Sequence, residues 1–151
     1  MDGAVEAIHA LKYRYLRGLD TQDLDLLGDC LSDEATIAFE DGKYSAEGKG
    51  AILDLIGSVL TPAYFSCHLA VHPEVEVEGD HGTGHWKLMT TSLFVEGRIR
   101  RLNAGYYHDE YVKQGARWLI AHSGSNLSFS TNQPWTDDGS FECLTFPARG
   151  A

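Results

Sequence analysis

The chain has 151 residues, 43% of them hydrophobic and 11% aromatic, enough for one buried core and short for two. Its 22 acidic residues against 12 basic ones give a formal charge of −10, which disfavours nucleic acid and anionic membranes, since both are held chiefly by Lys and Arg neutralising phosphates. A small, weakly charged organic ligand is the better match. No stretch approaches the roughly 20 apolar residues of a membrane span, and the opening "MDGAVEAIHALKYRYLRG" is amphipathic without a signal pattern. The expectation is a cytoplasmic protein. Cys30, Cys67 and Cys143 are odd in number, far apart and without a C-x-x-C, so neither a disulfide framework nor a thiolate metal site is implied.

Val5, Ile8, Leu11, Lys12, Tyr15, Leu16 and Leu19 recur at three- and four-residue spacing and predict an amphipathic helix ending near Gly18. Lys12 is expected to lay its aliphatic stem on the apolar stripe and hold its amine in water. The polar "LDTQD" can cap a second short helix carried by Leu24, Leu27 and Leu31. "EATIAFEDGKYSAEG" reads as two strands around a turn at Asp41 and Gly42. A third helix over 49–60 follows through Ile52, Leu55, Ile56 and Val59, with Pro62 just beyond it. Turn signals at 78–82, 95–98 and 113–116 divide the remainder into long strands of an antiparallel meander. Helices followed by a meander give an α+β class, with a twisted sheet curling over the helices and leaving a hollow. Residues 130–151, with Trp135, Phe141 and Phe146 among turn formers, predict an irregular tail.

The strand from Gly82 to Val95 carries Trp86, Leu88, Thr90, Ser92 and Phe94 on its more apolar, even face. Two hydroxyls on an inward face can line a pocket, although they occur more often in plain sheets. His68 and His72 are four apart, a metal spacing on a helix, but on extended chain they stand roughly 13 Å apart. No metal site is expected. His72 precedes Pro73, which predicts an extended, structural histidine. His68 lies among Tyr64, Phe65, Leu69 and Val71, where an imidazole needs a hydrogen-bond partner. Strand parity puts His68 with Glu74, Glu76 and Glu78; only a bulge at Pro73 would turn it inward.

Three stretches carry a family likeness: "AIHALKYRYLRGLDTQDLDLL", "HLAVHPEV" with the following "GTGHWKL", and "GYYHDEYVKQGARWLI". The chain resembles the SnoaL-like family of the nuclear transport factor 2-like superfamily, nearest to scytalone dehydratase and bile-acid 7α-dehydratase. The resemblance implies one domain over 1–151, with residues 5–129 as core. Its fold would be an α+β cone, a curved antiparallel sheet wrapped around three N-terminal helices and enclosing a pocket. In those dehydratases a histidine at the start of a strand pairs with an aspartate after the first helix, and a helix tyrosine meets the substrate. The matching residues are His68, Asp20 and Tyr15. Tyr15 and Asp20 are about 140° apart on a helix, so Asp20 would reach the same cavity only if the helix ended near Gly18. The resemblance breaks at Thr90 and Leu127, which stand where the bile-acid enzyme has an aspartate and an arginine.

Asp20 would fix the His68 tautomer and free its other nitrogen as a general base, with Tyr15 steadying an enolate. The implied activity is a dehydratase without metal or organic cofactor, acting on a small hydrophobic cyclic hydroxy-ketone, aromatic polyketide or steroid-like molecule. Trp86, Leu88, Thr90, Ser92, Tyr107, His108 and Leu127 are the expected binding residues, with His108, Tyr106, Tyr107 or Asp109 as sources of a replacement acid. An isomerase or polyketide cyclase would use the same base without expelling water. A non-catalytic binding or assembly module fits the missing aspartate and arginine. The resemblance also implies a homo-oligomer, a trimer in preference to a dimer.

Overall fold

In the computed structural model, which describes residues 3–135 together with 142 and 144, the first helix α1 runs Ala4–Asp20. Ile8, Leu11, Lys12, Tyr15 and Leu16 form its buried face, as the spacing predicts. The helix does not stop at Gly18. That residue is buried against α2 (Leu24–Cys30), where an added Cβ would lie 2.9 Å from the Leu27 side chain. Its role is close approach of two helices, and α1 continues to Asp20. Asp23 caps α2, its carboxylate accepting the Leu26 N–H at 3.0 Å.

Strands β1 (Leu31–Phe39) and β2 (Tyr44–Glu47) form the expected hairpin, and α3 (Lys49–Val59) follows. The meander comprises β3 (Tyr64–Glu78), β4 (His81–Phe94), β5 (Ile99–Gln114) and β6 (Arg117–Pro134). β6 thus extends into the segment expected to be irregular, pairing as far as Ile99 with Pro134. Of that tail, Phe141 and Phe146 lie outside the described residues. The six strands form one curved sheet in the order β2-β1-β6-β5-β4-β3, with β1 running parallel to β6. This parallel join is the one departure from an antiparallel sheet, and no local pattern announces it. Ile37, Trp86, Leu88, Tyr107, Tyr111 and Ile120 of the sheet share one buried cluster with Ile8, Leu11 and Tyr15 of α1 and with Ile52 and Ile56 of α3.

Two irregularities set which side chains face inward. The β3–β4 register shifts between Val71 and Glu74, with His72 at φ 51°. His72 is therefore left-handed and not extended as its place before Pro73 suggests. Before this bulge the even residues, Tyr64, Ser66, His68 and Ala70, turn toward the interior; after it Val75 and Val77 do. In β6 the register shifts opposite Gly105, whose added Cβ would stand 1.9 Å from the Asn126 carbonyl oxygen. Only glycine permits that approach.

Candidate active site

His68 enters the interior because of the bulge, and Asp20 meets it from the end of α1. His68 Nδ1 lies 2.6 Å from Asp20 Oδ1, and the His68 backbone N–H donates to the same carboxylate at 3.0 Å. Ser66 Oγ donates to Asp20 Oδ1 at 3.0 Å. An ionised carboxylate can only accept, so in the neutral imidazole the ring proton belongs on Nδ1 and Nε2 keeps its lone pair. The side chains of His68 and Asp20 are 16% and 26% exposed, so the pair is partly hydrated. Its contribution is orientation more than binding energy. Gln22, with φ 54°, donates through Nε2 to the carbonyls of Thr61 and Tyr64, both at 2.9 Å, and fixes where β3 begins.

Beside His68 opens a cavity of about 230 Å³, open on one side. Its polar wall is sheet: Thr90 and Ser92 of β4, Arg101, Asn103 and Tyr107 of β5. Its apolar wall comes from Leu55, Ile56, Val59 and Leu60 of α3 and its end, with Ile37, Phe39 and Leu127 of the sheet. Tyr15 lines it from α1, fully buried, and its hydroxyl has no hydrogen-bond partner among the described residues. Burial, reinforced by Asp109 and Cys30, pushes the Tyr15 hydroxyl well above the usual tyrosine range, so it stays a proton donor. Burial also raises Tyr107, with the neighbouring Tyr15 adding to it.

Asp20 does not itself line the cavity. The 140° between it and Tyr15 resolves by division of place: Tyr15 faces the hollow, Asp20 faces β3, and His68 spans the two. Leu88, Thr90, Ser92, Tyr107 and Leu127 all reach the cavity. Trp86 and His108 do not. Trp86 is on the inward face as expected but packs under α1, edge-on to His9 and Tyr13 at 5.4 and 6.0 Å, its Nε1 donating to Tyr111 Oη. His108 is exposed on the outer sheet face, with His85 Nδ1 at 2.8 Å and Asn126 Oδ1 at 2.6 Å. It cannot supply an acid to this cavity.

Lys12 also departs from expectation. Its amine is fully buried, 2.7 Å from Asp109 Oδ2 and 3.7 Å from the Tyr107 ring centre. Burial lowers its pKa, opposed by the Asp109 carboxylate. Tyr111 Oη and Ser123 Oγ donate to Asp109, each at 2.7 Å, so this network underlies the cavity without opening into it. Arg101, Asn103 and Tyr64 also line the cavity, beyond the binding residues expected from the sequence. The signal for the first two is parity with Tyr107, since odd residues of β5 face inward. Among the described residues no group of three His, Cys, Asp or Glu side chains is placed to hold a metal ion, and no helix is long and apolar enough to cross a membrane.

The SnoaL-like domain family model matches residues 3–123. Among solved structures, a type 2 hexachlorocyclohexane dehydrochlorinase (LinA) has a TM-score of 0.80 at 23% identity, over 91% of this chain and 96% of that one. LinA type 3 from Novosphingobium barchaimii LL02 has a TM-score of 0.79 at 22% identity, over 93% and 95%. A protein of Novosphingobium aromaticivorans provisionally named scytalone dehydratase has 0.78 at 15%, over 97% and 94%. At these identities the likeness is one of fold.

Proposed function

The chain belongs to the SnoaL-like domain family, and on that premise we propose that it is a cofactor-independent dehydratase of small cyclic hydroxy-ketones. The observation that carries the reading is the 2.6 Å contact of His68 Nδ1 with Asp20 Oδ1 at the wall of a largely apolar cavity. His68 Nε2 would take a proton from the carbon beside the substrate carbonyl. The Tyr15 hydroxyl, without a hydrogen-bond partner among the described residues, would donate to the carbonyl oxygen as it becomes an enolate. The imidazolium would then return its proton to the departing hydroxyl, releasing water. One residue serves as base and then acid, which suits a cavity where Thr90 and Leu127 offer neither. The volume of about 230 Å³ falls below the roughly 300–1,000 Å³ of common ligand pockets. That favours one or two rings over a steroid.

The test is a panel of cyclic β-hydroxy-ketones followed by mass spectrometry. Loss of one water in the wild type, reduced about 10²–10⁴-fold in His68→Ala and strongly in Asp20→Asn, is the expected result. Products of unchanged mass would indicate an isomerase or cyclase using the same base. The LinA neighbours are dehydrochlorinases by name, and loss of chloride from a halogenated ring would need the base but no acid. Turnover that survives both substitutions would remove His68 from the chemistry. A homo-oligomer, trimer by family likeness, is part of the proposal. Leu69, Met89 and Phe129 form one exposed row across the outer sheet face beside Val71 and Tyr106, and a monomer by light scattering would overturn it.

A further inference from the structure

Among the described residues lining the cavity, Arg101 alone carries a permanent positive charge. The register explains its position. Ser92 is paired with Ser66 on one side and with Arg101 on the other, one row beyond His68, Thr90 and Asn103. Arg101 Nε donates to Asn132 Oδ1 at 2.7 Å, and its guanidinium stacks 4.9 Å from the centre of the Phe94 ring. These two contacts hold the group in place without neutralising it. No described carboxylate lies within ion-pair distance of it, although the chain as a whole carries −10. Glu40, the one acidic residue of the lining, belongs to the β1–β2 turn and has Lys43 as its own counter-ion at 3.7 Å. Beside Arg101, the Tyr64 hydroxyl meets Ser92 Oγ at 3.1 Å, giving two further hydrogen-bonding groups on the same wall.

We propose that Arg101, with Ser92 and Tyr64, forms a carboxylate subsite, so that the molecule taken by this cavity carries a carboxylate at the end remote from His68. Two strand spacings and two residues separate His68 from Arg101, roughly 12 Å between backbones. An arginine fork recognises a carboxylate through paired N–H donors, and a half-desolvated wall strengthens that contact relative to water. The substrate class narrows from neutral hydroxy-ketones to cyclic hydroxy-ketones that also carry a carboxylate at the end remote from His68.

This rests on the cavity being a small-molecule site and not on the chemistry assigned to His68. Calorimetric titration with benzoate and 2-naphthoate, each beside its primary amide, tests it without a known substrate. In the wild type the carboxylates should bind about tenfold or more tightly than the matched amides, the size of one charge-assisted contact. Arg101→Met should abolish that preference, weakening the carboxylates at least tenfold more than the matched amides, and Arg101→Lys should keep part of it. Equal affinities in the wild type, a preference that survives Arg101→Met, a proportional loss of both ligands, or no carboxylate binding at millimolar concentration would each overturn the subsite. His68→Ala should retain the carboxylate preference even where turnover is lost, so the two readings fail separately.

Discussion

Replacing Lys12 by Met removes one half of an ion pair in which both side chains are fully buried. Methionine keeps most of the volume and the apolar stem, so the change is chiefly one of charge. Asp109 would retain its bonds from Tyr111 and Ser123, but its charge would lose the ammonium 2.7 Å away. An uncompensated buried carboxylate costs about 3–5 kcal/mol. For a chain of this length each kcal/mol moves Tm by about 2–4 °C, so Lys12→Met should lower Tm by about 6–20 °C. Adding Asp109→Asn removes the orphaned charge and keeps a group that can bond both hydroxyls. The double variant should therefore recover about 2 kcal/mol or more relative to the sum of the singles. Thermal and urea unfolding of the four proteins gives the cycle. A cost below about 1 kcal/mol for Lys12→Met, the range of exposed pairs, or strict additivity would refute the argument.

Gly105→Ala should destabilise by at least the roughly 3 kcal/mol that marks the upper end of ordinary overpacking, because its Cβ would meet the Asn126 carbonyl at 1.9 Å. Gly115→Ala, at φ +61° with open space around it, should cost only about 1–2 kcal/mol, and equal melting temperatures for the two would contradict the close-approach reading. Burial raises the pKa of Tyr15, Tyr64, Tyr107 and Tyr111. A raised folded pKa contributes stability that is complete below the unfolded value of about 10 and is lost as pH climbs through the folded one. Stability should thus fall above about pH 10, and an absorbance titration should show these four ionising only as the protein unfolds. Ionisation of all seven tyrosines before loss of the circular dichroism signal would count against it.

The readable part of the fold is the part written in local periodicity. The α1 stripe repeats at 3.6 residues and the even face of β4 at 2, and each has the predicted face buried, while Gly-containing turns mark the breaks between the long strands. What escaped depends on partners distant in sequence. Gly18 looks like a helix stop until Leu27 is seen packed against it. Lys12 sits on the stripe as expected, but its amine goes inward because β5 brings Asp109 beneath it. Trp86 is inward yet belongs to the packing under α1, since face alone cannot separate core from cavity. His108 follows from parity that places Tyr107 inside and its neighbour outside. For His68 the sequence posed the alternative itself: a bulge at Pro73, or an outward histidine.

That bulge is the feature on which the site depends. A regular β3 that places Val75 and Val77 against the core would also place Cys67 and Leu69 inside and His68 in solvent, because side chains alternate strictly. The extra residue, taken up by His72 in a left-handed conformation, reverses the alternation between the two halves of one strand. The lower half can then be valine and glutamate in the ordinary two-faced pattern, while the upper half delivers Tyr64, Ser66 and His68 to one wall. Asp20 needs no place in the cavity for this to work. It arrives at the last turn of α1 and holds the β3 backbone and the imidazole at once. The carboxylate that orients the ring therefore also fixes the strand that carries it, and the geometry of the imidazole is set by the fold before any ligand enters.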